Sequence, residues 1–254
     1  VSSPLPPFVF RALPSPPAGF GLYDAASYVF DIPNPSDNDQ RVFGGAIILP
    51  VNCSDSYGTW PSDPCAAPPD DTKKEGDRPT TDLVFEPLLP WAYDECDPQE
   101  PVEESQALAL QTLTLKERLL VESDFATRLM EGVSPGTAPT LVDGIGLLEE
   151  ELGATGSLGV IHASRRFAAE ASTLRWTNQS GPVYKSPLGH NYAFGGGYGD
   201  VLGNTLIATG QLYLWRYPAT VITTLDPATN RLATIAEQVV VVGYECFVAA
   251  VTIG

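Results

Sequence analysis

Only two histidines occur in this chain, His162 and His190. The first sits in GVIHASRRFAAEAS (159–172), a β-branched run followed by two arginines and a stretch of small residues. A histidine that acts as a general base needs an orienting partner and a nucleophile converging on it, and the sequence shows no such constellation. Ser164 fits the N-cap of a following helix, with Arg165 and Arg166 on its exposed face. His162 therefore reads as a strand-end residue at a strand-to-helix junction, bonded to nearby backbone.

Other candidate chemistry fails on similar grounds. GVSPG (132–136) matches the G-x-S-x-G elbow of serine hydrolases, but the residue after Ser134 is Pro135, which has no N–H for an oxyanion. FGGGYGD (194–200) lacks the G-x-G-x-x-G spacing and a following helix, so its glycines read as sites of close backbone packing. Glu149–Glu151 and Asp70–Asp71 lie on a helix surface and in a loop, without the buried polar surroundings of a glycosidase pair. Cys53, Cys65, Cys96 and Cys246 are spaced far from C-x-x-C, which with two histidines argues against zinc. Cys53 and Cys65 flank a Pro/Asp-rich loop and could bridge in an oxidising medium; four unpaired thiols are an equal alternative. No catalytic residue, metal or cofactor is expected.

The elements that would position these residues can be read from pattern. Residues 1–35 carry repeated prolines among aromatics and read as an extended arm rather than a packed element. RVFGGAIILPV (41–51) is a strand signal, NCSDSYGTWPSDPCAAPPDDTKKEGDRPTT (52–81) a long polar excursion, and DLVFEPLLPW a returning strand. Pro101 fits a first helical position, and Val102–Met130 contains neither Gly nor Pro. Leu108, Leu115, Leu119, Phe125 and Leu129 are expected on its apolar face, with Glu117 on the polar side. Thr140 and Asp143 cap a second helix that Gly153 ends. A short buried strand LGVIHA and a third helix follow, then a loop over 174–190 and a β-rich C-terminal stretch with a turn at Asp226–Asn230.

The formal charge of −17, with 14 scattered Lys and Arg, argues against direct or sequence-specific nucleic-acid binding. No apolar run reaches the roughly 18 residues of a membrane span. VSSPLPPFVF lacks the basic start and apolar stretch of a signal peptide, so secretion by that route is not expected.

At sequence level GLYDAASY (21–28), LLEEELGATGSLGVIHASRRFAAEAS (147–172), LGHNYAFGGGY (188–198), ATGQLYLWR (208–216) and AEQVVVVGYEC (236–246) resemble virion structural proteins of actinobacterial phages. The order of elements resembles the major capsid protein fold of tailed bacteriophages, the Hong Kong 97-type fold shared with encapsulin shells. The resemblance implies an α+β chain: an N-terminal arm (1–40), a projecting β-hairpin loop (41–95), the spine helix of a peripheral domain (96–138), an axial α/β domain (139–210) and a β return (211–254). It implies a non-enzymatic shell subunit, forming pentamers and hexamers around double-stranded DNA in the host cytoplasm and residing in the virion. Its acidic charge would limit adhesion to that DNA. Phe8, Phe10, Trp60 and Trp91, large aromatics on extended segments, are the candidate contacts between subunits. Lys73 and Lys74 are the only loop lysines that could take part in the lysine–asparagine cross-links of some such shells, and that chemistry is not expected. A minor capsid, decoration or tail component of the same virion is the alternative, and a soluble enzyme of unknown class the more distant one.

Overall fold

The computed structural model describes residues 12–31, 43–54, 56–60, 65, 74–77, 83–131, 133–175 and 177–254. Prolines end at Pro17 and resume at Pro33, and between them the arm folds. A one-turn helix α1 (Leu22–Ala25) is followed by strand β1 (Tyr28–Asp31). Leu22 and Ala25 are fully buried. The expectation of an unpacked arm over 1–35 is thus corrected for 18–31: without proline this segment can donate its backbone N–H groups, and it does. Residues 1–11 and 32–40 lie outside the described residues.

Strands β2 (Ala46–Ile48) and β3 (Leu83–Phe85) pair antiparallel, as expected for the base of a projecting hairpin. Strand β4 (Trp91–Cys96) leaves that ribbon for another sheet.

Helix α2 (Val102–Met130) covers the expected Gly- and Pro-free stretch, with Pro101 as its extended N-cap and not its first helical residue, and is roughly 44 Å long at 1.5 Å per residue. Its buried face differs from the expected one. Leu108 is exposed, whereas Ser105, Ala109, Leu113, Glu117, Val121, Phe125 and Leu129 are buried, each four residues from the last. At 100° per residue such a row rotates by about 40° per step. The buried face therefore winds around the helix, and its two ends meet different sheets. Ala109 and Leu113 pack on Ala92 and Ala236, while Val121, Phe125, Ala126 and Leu129 belong to a second core.

The chain continues through β5 (Gly136–Ala138), α3 (Leu141–Ala154), β6 (Val160–Ser164), α4 (Phe167–Thr173), β7 (Asn178–Ser180), β8 (Val183–Lys185) and β9 (Asn191–Gly195). Then come α5 (Gly199–Leu202), β10 (Thr205–Thr209), β11 (Leu212–Arg216), β12 (Thr220–Asp226), β13 (Arg231–Glu237), β14 (Val240–Tyr244) and β15 (Phe247–Ile253). The Thr140 side chain accepts from the Asp143 N–H, the expected cap of α3. Ser164 ends β6 instead of capping α4, whose N-cap is Arg166. Residues expected as a loop over 174–190 include the β7–β8 hairpin, turned at Gly181 with φ +62°.

A seven-stranded sheet runs β5-β15-β10-β6-β9-β8-β7. Alternation sends Ile161 and Ala163 of β6 toward α3 and α4, and Val160 toward the core shared with α2. Two three-stranded sheets, β1-β11-β14 and β12-β13-β4, form the rest. The last strand corrects the expected division at 210: β15 pairs with β10 and β5, so the C-terminal segment re-enters the seven-stranded sheet instead of staying in a β return.

Candidate assembly surfaces

The arm is held by polar side chains of α2, among them Glu117, which the sequence places on the polar side of the helix. Glu122 on α2 is buried, its carboxylate accepting from the Leu22 N–H at 3.0 Å and the Gly197 N–H at 2.9 Å. Burial pushes its carboxyl above the usual range, and these N–H donors pull the other way. One turn earlier, buried Glu117 accepts from Tyr23 Oη at 2.7 Å and from Arg216 Nη2 at 3.3 Å. The guanidinium groups of Arg118 and Arg216 both lie over the Tyr23 ring, at 5.0 and 5.5 Å from its centre. Burial, then the Glu117 charge, raise the Tyr23 phenol well above its ordinary value. Arg165 donates to the Gly19 carbonyl at 2.7 Å, so it is an arm ligand and not merely surface charge. The glycine-rich segment serves the same junction. A Cβ on Gly197 would stand 2.2 Å from the Leu119 carbonyl oxygen, and one on Gly196 would stand 2.6 Å from Leu119 Cδ2. The expected close backbone packing is present; the helix expected to be missing after it is the single turn α5.

The projecting loop is anchored at a neck where two connections cross between sheets. Gly210–Gln211 joins β10 to β11, and Glu245–Cys246 joins β14 to β15. They bond to each other, Gly210 N–H to the Cys246 carbonyl and Glu245 N–H to the Gln211 carbonyl. Cys53 forms a disulfide with Cys246, 193 residues away, with Cα atoms 6.1 Å apart. This corrects the expected Cys53–Cys65 bridge and its four-thiol alternative: the ribbon base lies against the neck, which brings Cys246 to Cys53, while Cys65 is exposed out on the loop. Buried Glu245 adds a second fastening, accepting from the backbone N–H groups of Val51 and Asn52.

Apolar side chains remain exposed on the extended parts. On the ribbon these are Ile47, Leu49, Val51 and Val84, with Val51 79 % exposed. On the outer face of β12-β13-β4, Ile222, Ile235 and Tyr93 face one another in register and are all exposed. Trp91, two residues from Tyr93 on the same strand face, is 62 % exposed. Trp60 lies on the loop at 39 % exposure, with Lys74 Nζ 4.8 Å from its ring. Phe8 and Phe10 lie outside the described residues. A further aromatic group escaped sequence reading: Tyr28 and Phe30 of β1 stack on Tyr213 and Trp215 of β11 at 5.6 and 5.8 Å, because the two strands pair in parallel register.

His162 is corrected from a strand-end junction residue to a fully buried mid-strand one. Its Nδ1 is 3.1 Å from Tyr198 Oη and its Nε2 3.0 Å from Thr209 Oγ1, and Phe125 packs edge-on at 5.5 Å. Desolvation lowers it to about 3, so the ring is neutral. His190 Nδ1 accepts from the Gly159 N–H. Ser134 lies in the linker between α2 and β5. Among the described residues no group of three or more His, Cys, Asp or Glu side chains is placed to hold a metal ion, and no helix is long and apolar enough to cross a membrane.

A packed arm, a projecting β-ribbon, a long helix bridging two cores, and a sheet closed by the C-terminal strand together define the Hong Kong 97-type capsid fold. No protein-family model and no curated protein matches the sequence. Among solved structures, the capsid of an empty GTA particle aligns with a TM-score of 0.55 at 13 % identity, over 99 % of this chain and 94 % of its own. A structure from Mycobacterium phage Bobi aligns with a TM-score of 0.54 at 12 % identity, over 99 % and 96 %. One from Gordonia phage Cozz gives 0.54 at 11 % identity, over 98 % and 90 %.

Proposed function

We propose that this chain is a structural subunit of a bacteriophage capsid, non-enzymatic, assembling through pentamers and hexamers into an icosahedral shell around double-stranded DNA in the host cytoplasm. The observation that carries this reading is the capsid fold matched along nearly the whole chain. The exposed apolar residues on its extended segments support it, since a chain that ends as a monomer gains nothing by leaving such surface wet. Trp60 and Trp91, exposed among the described residues, stay the candidate subunit contacts, together with Phe8 and Phe10 on the arm. The division into arm, loop, spine, axial and peripheral parts is the working map of that subunit, amended by β15. Light scattering on the purified protein, with negative-stain images of the same fraction, tests the reading. Closed shells or discrete pentamers and hexamers are the expected result; a stable monomer at all concentrations overturns it.

A further inference from the structure

We propose that Cys53 and Cys246 form a redox-controlled lock between the projecting loop and the neck. The thiols are open in the reducing interior where subunits assemble, and oxidation closes them after release. The inference rests on the shell-subunit reading for its timing, and on the neck geometry for its mechanism. Three features support it. Both cysteines are half-buried, so a small-molecule disulfide can reach them. Cys53 Sγ lies 3.2 Å from the Glu245 carbonyl oxygen, which a reduced thiol can use as its acceptor. The Glu245 carboxylate holds the backbone of Val51 and Asn52 without help from sulfur, so the reduced ribbon base stays beside Cys246 and is poised to close. Closure is thiol–disulfide exchange with a small-molecule disulfide such as oxidised glutathione. Its S–S bond breaks, the Cys53–Cys246 bond forms, and the two electrons and two protons from the cysteines end on the two released small thiols. Because Cys246 lies in the connection between β14 and β15, the closed bond ties the base of the loop to the segment that joins the β1-β11-β14 sheet to the seven-stranded sheet.

The full chain, expressed in a reducing bacterial cytoplasm, is alkylated with N-ethylmaleimide at the moment of lysis and mapped by peptide mass. A second portion is treated with oxidised glutathione before mapping, melting and scattering. The expected result is alkylated Cys53 and Cys246 at lysis, a Cys53–Cys246 peptide after oxidation, and a melting temperature higher by about 10 °C in the oxidised form. Cys53→Ser and Cys246→Ser should each keep the reduced protein's melting temperature and gain nothing from the oxidant. A pair already linked at lysis overturns the proposal, as does a pair that oxidant fails to link, or a linked form that melts with the serine variants. Peptide mapping and melting read the lock on the chain itself, while scattering reads assembly, so failure of one is distinguishable from failure of the other.

Discussion

At the scale of single residues, the arm is secured by charges taken out of water and repaid by specific donors. Tyr23 tests this, because Tyr23→Phe keeps the ring contacts with Arg118 and Arg216 but removes the hydroxyl that donates to Glu117. Glu117 is 4 % exposed and would lose one of its two partners, leaving Arg216. A loss of about 2 kcal/mol is expected, read as a shifted urea midpoint with unchanged slope. His162 carries a pH signature. Its folded value of about 3 lies below the ordinary 6.5, so the unfolded chain binds more protons between those limits, and stability falls as pH drops through that window. Between pH 6.5 and 4.5 this residue should cost roughly 2 kcal/mol. His162→Gln can still bond Tyr198 and Thr209 and should flatten the slope. Residual slope of the same sign is expected from His190, which burial also depresses. Urea unfolding of both proteins at pH 6.5, 5.5 and 4.5 is the check, and equal slopes would refute the assignment.

At the scale of elements, glycines separate into those that admit a neighbour and those that merely loosen a helix. Gly197→Ala would drive a Cβ into the α2 backbone at Leu119 and Ser123 and should cost about 3 kcal/mol or more. Gly146, inside α3 with open space around it, should gain about 0.5–1 kcal/mol as Ala. Thermal melts of the two variants should move in opposite directions. The same contrast explains what the sequence makes legible. The ends of α2, the Thr140–Asp143 cap and the Asp226–Asn230 turn depend on residues within a few positions of each other, and all stand where local chemistry puts them. The buried face of α2 does not, because which side is covered depends on strands distant in sequence, those of Ala92 and Ala236 at one end and those spanning Val160 to Val242, in two further sheets, at the other. Glu117 reads as polar-face charge for the same reason: its partners Tyr23 and Arg216 lie 94 and 99 residues away. Cys246 is likewise invisible as the mate of Cys53, since pairing follows the neck and not spacing. The parallel β1–β11 register, which creates the Tyr28–Tyr213 stack, leaves no trace in either strand alone.

At the scale of the whole molecule, in the proposed shell two quantities oppose each other in assembly: apolar surface left uncovered and like charge on every copy. Trp91→Ala removes exposed apolar area from the outer face of β12-β13-β4 while leaving Ala92 and the α2 contact in place. The monomer should therefore keep its melting temperature within a degree or two, while the concentration needed for assembly rises roughly ten-fold, as for a contact worth about 1.4 kcal/mol. The opposing term is the formal charge of −17 per chain, which makes neighbouring subunits repel as they approach. That repulsion extends over about 30 Å at 0.01 M salt and only about 8 Å at 0.15 M, less than the width of a subunit. The Glu117–Arg216 pair and the Glu122–Leu22 bond lie within one chain with their carboxylates buried, and are largely shielded from this change, so the fold should hardly respond to salt. Assembly should. Light scattering across a sodium chloride series is expected to show a threshold concentration that falls steeply from 0.01 to 0.15 M while circular dichroism stays constant. A threshold that rises with salt would mean that ionic pairs between copies, and not apolar burial against a net repulsion, hold the proposed shell together.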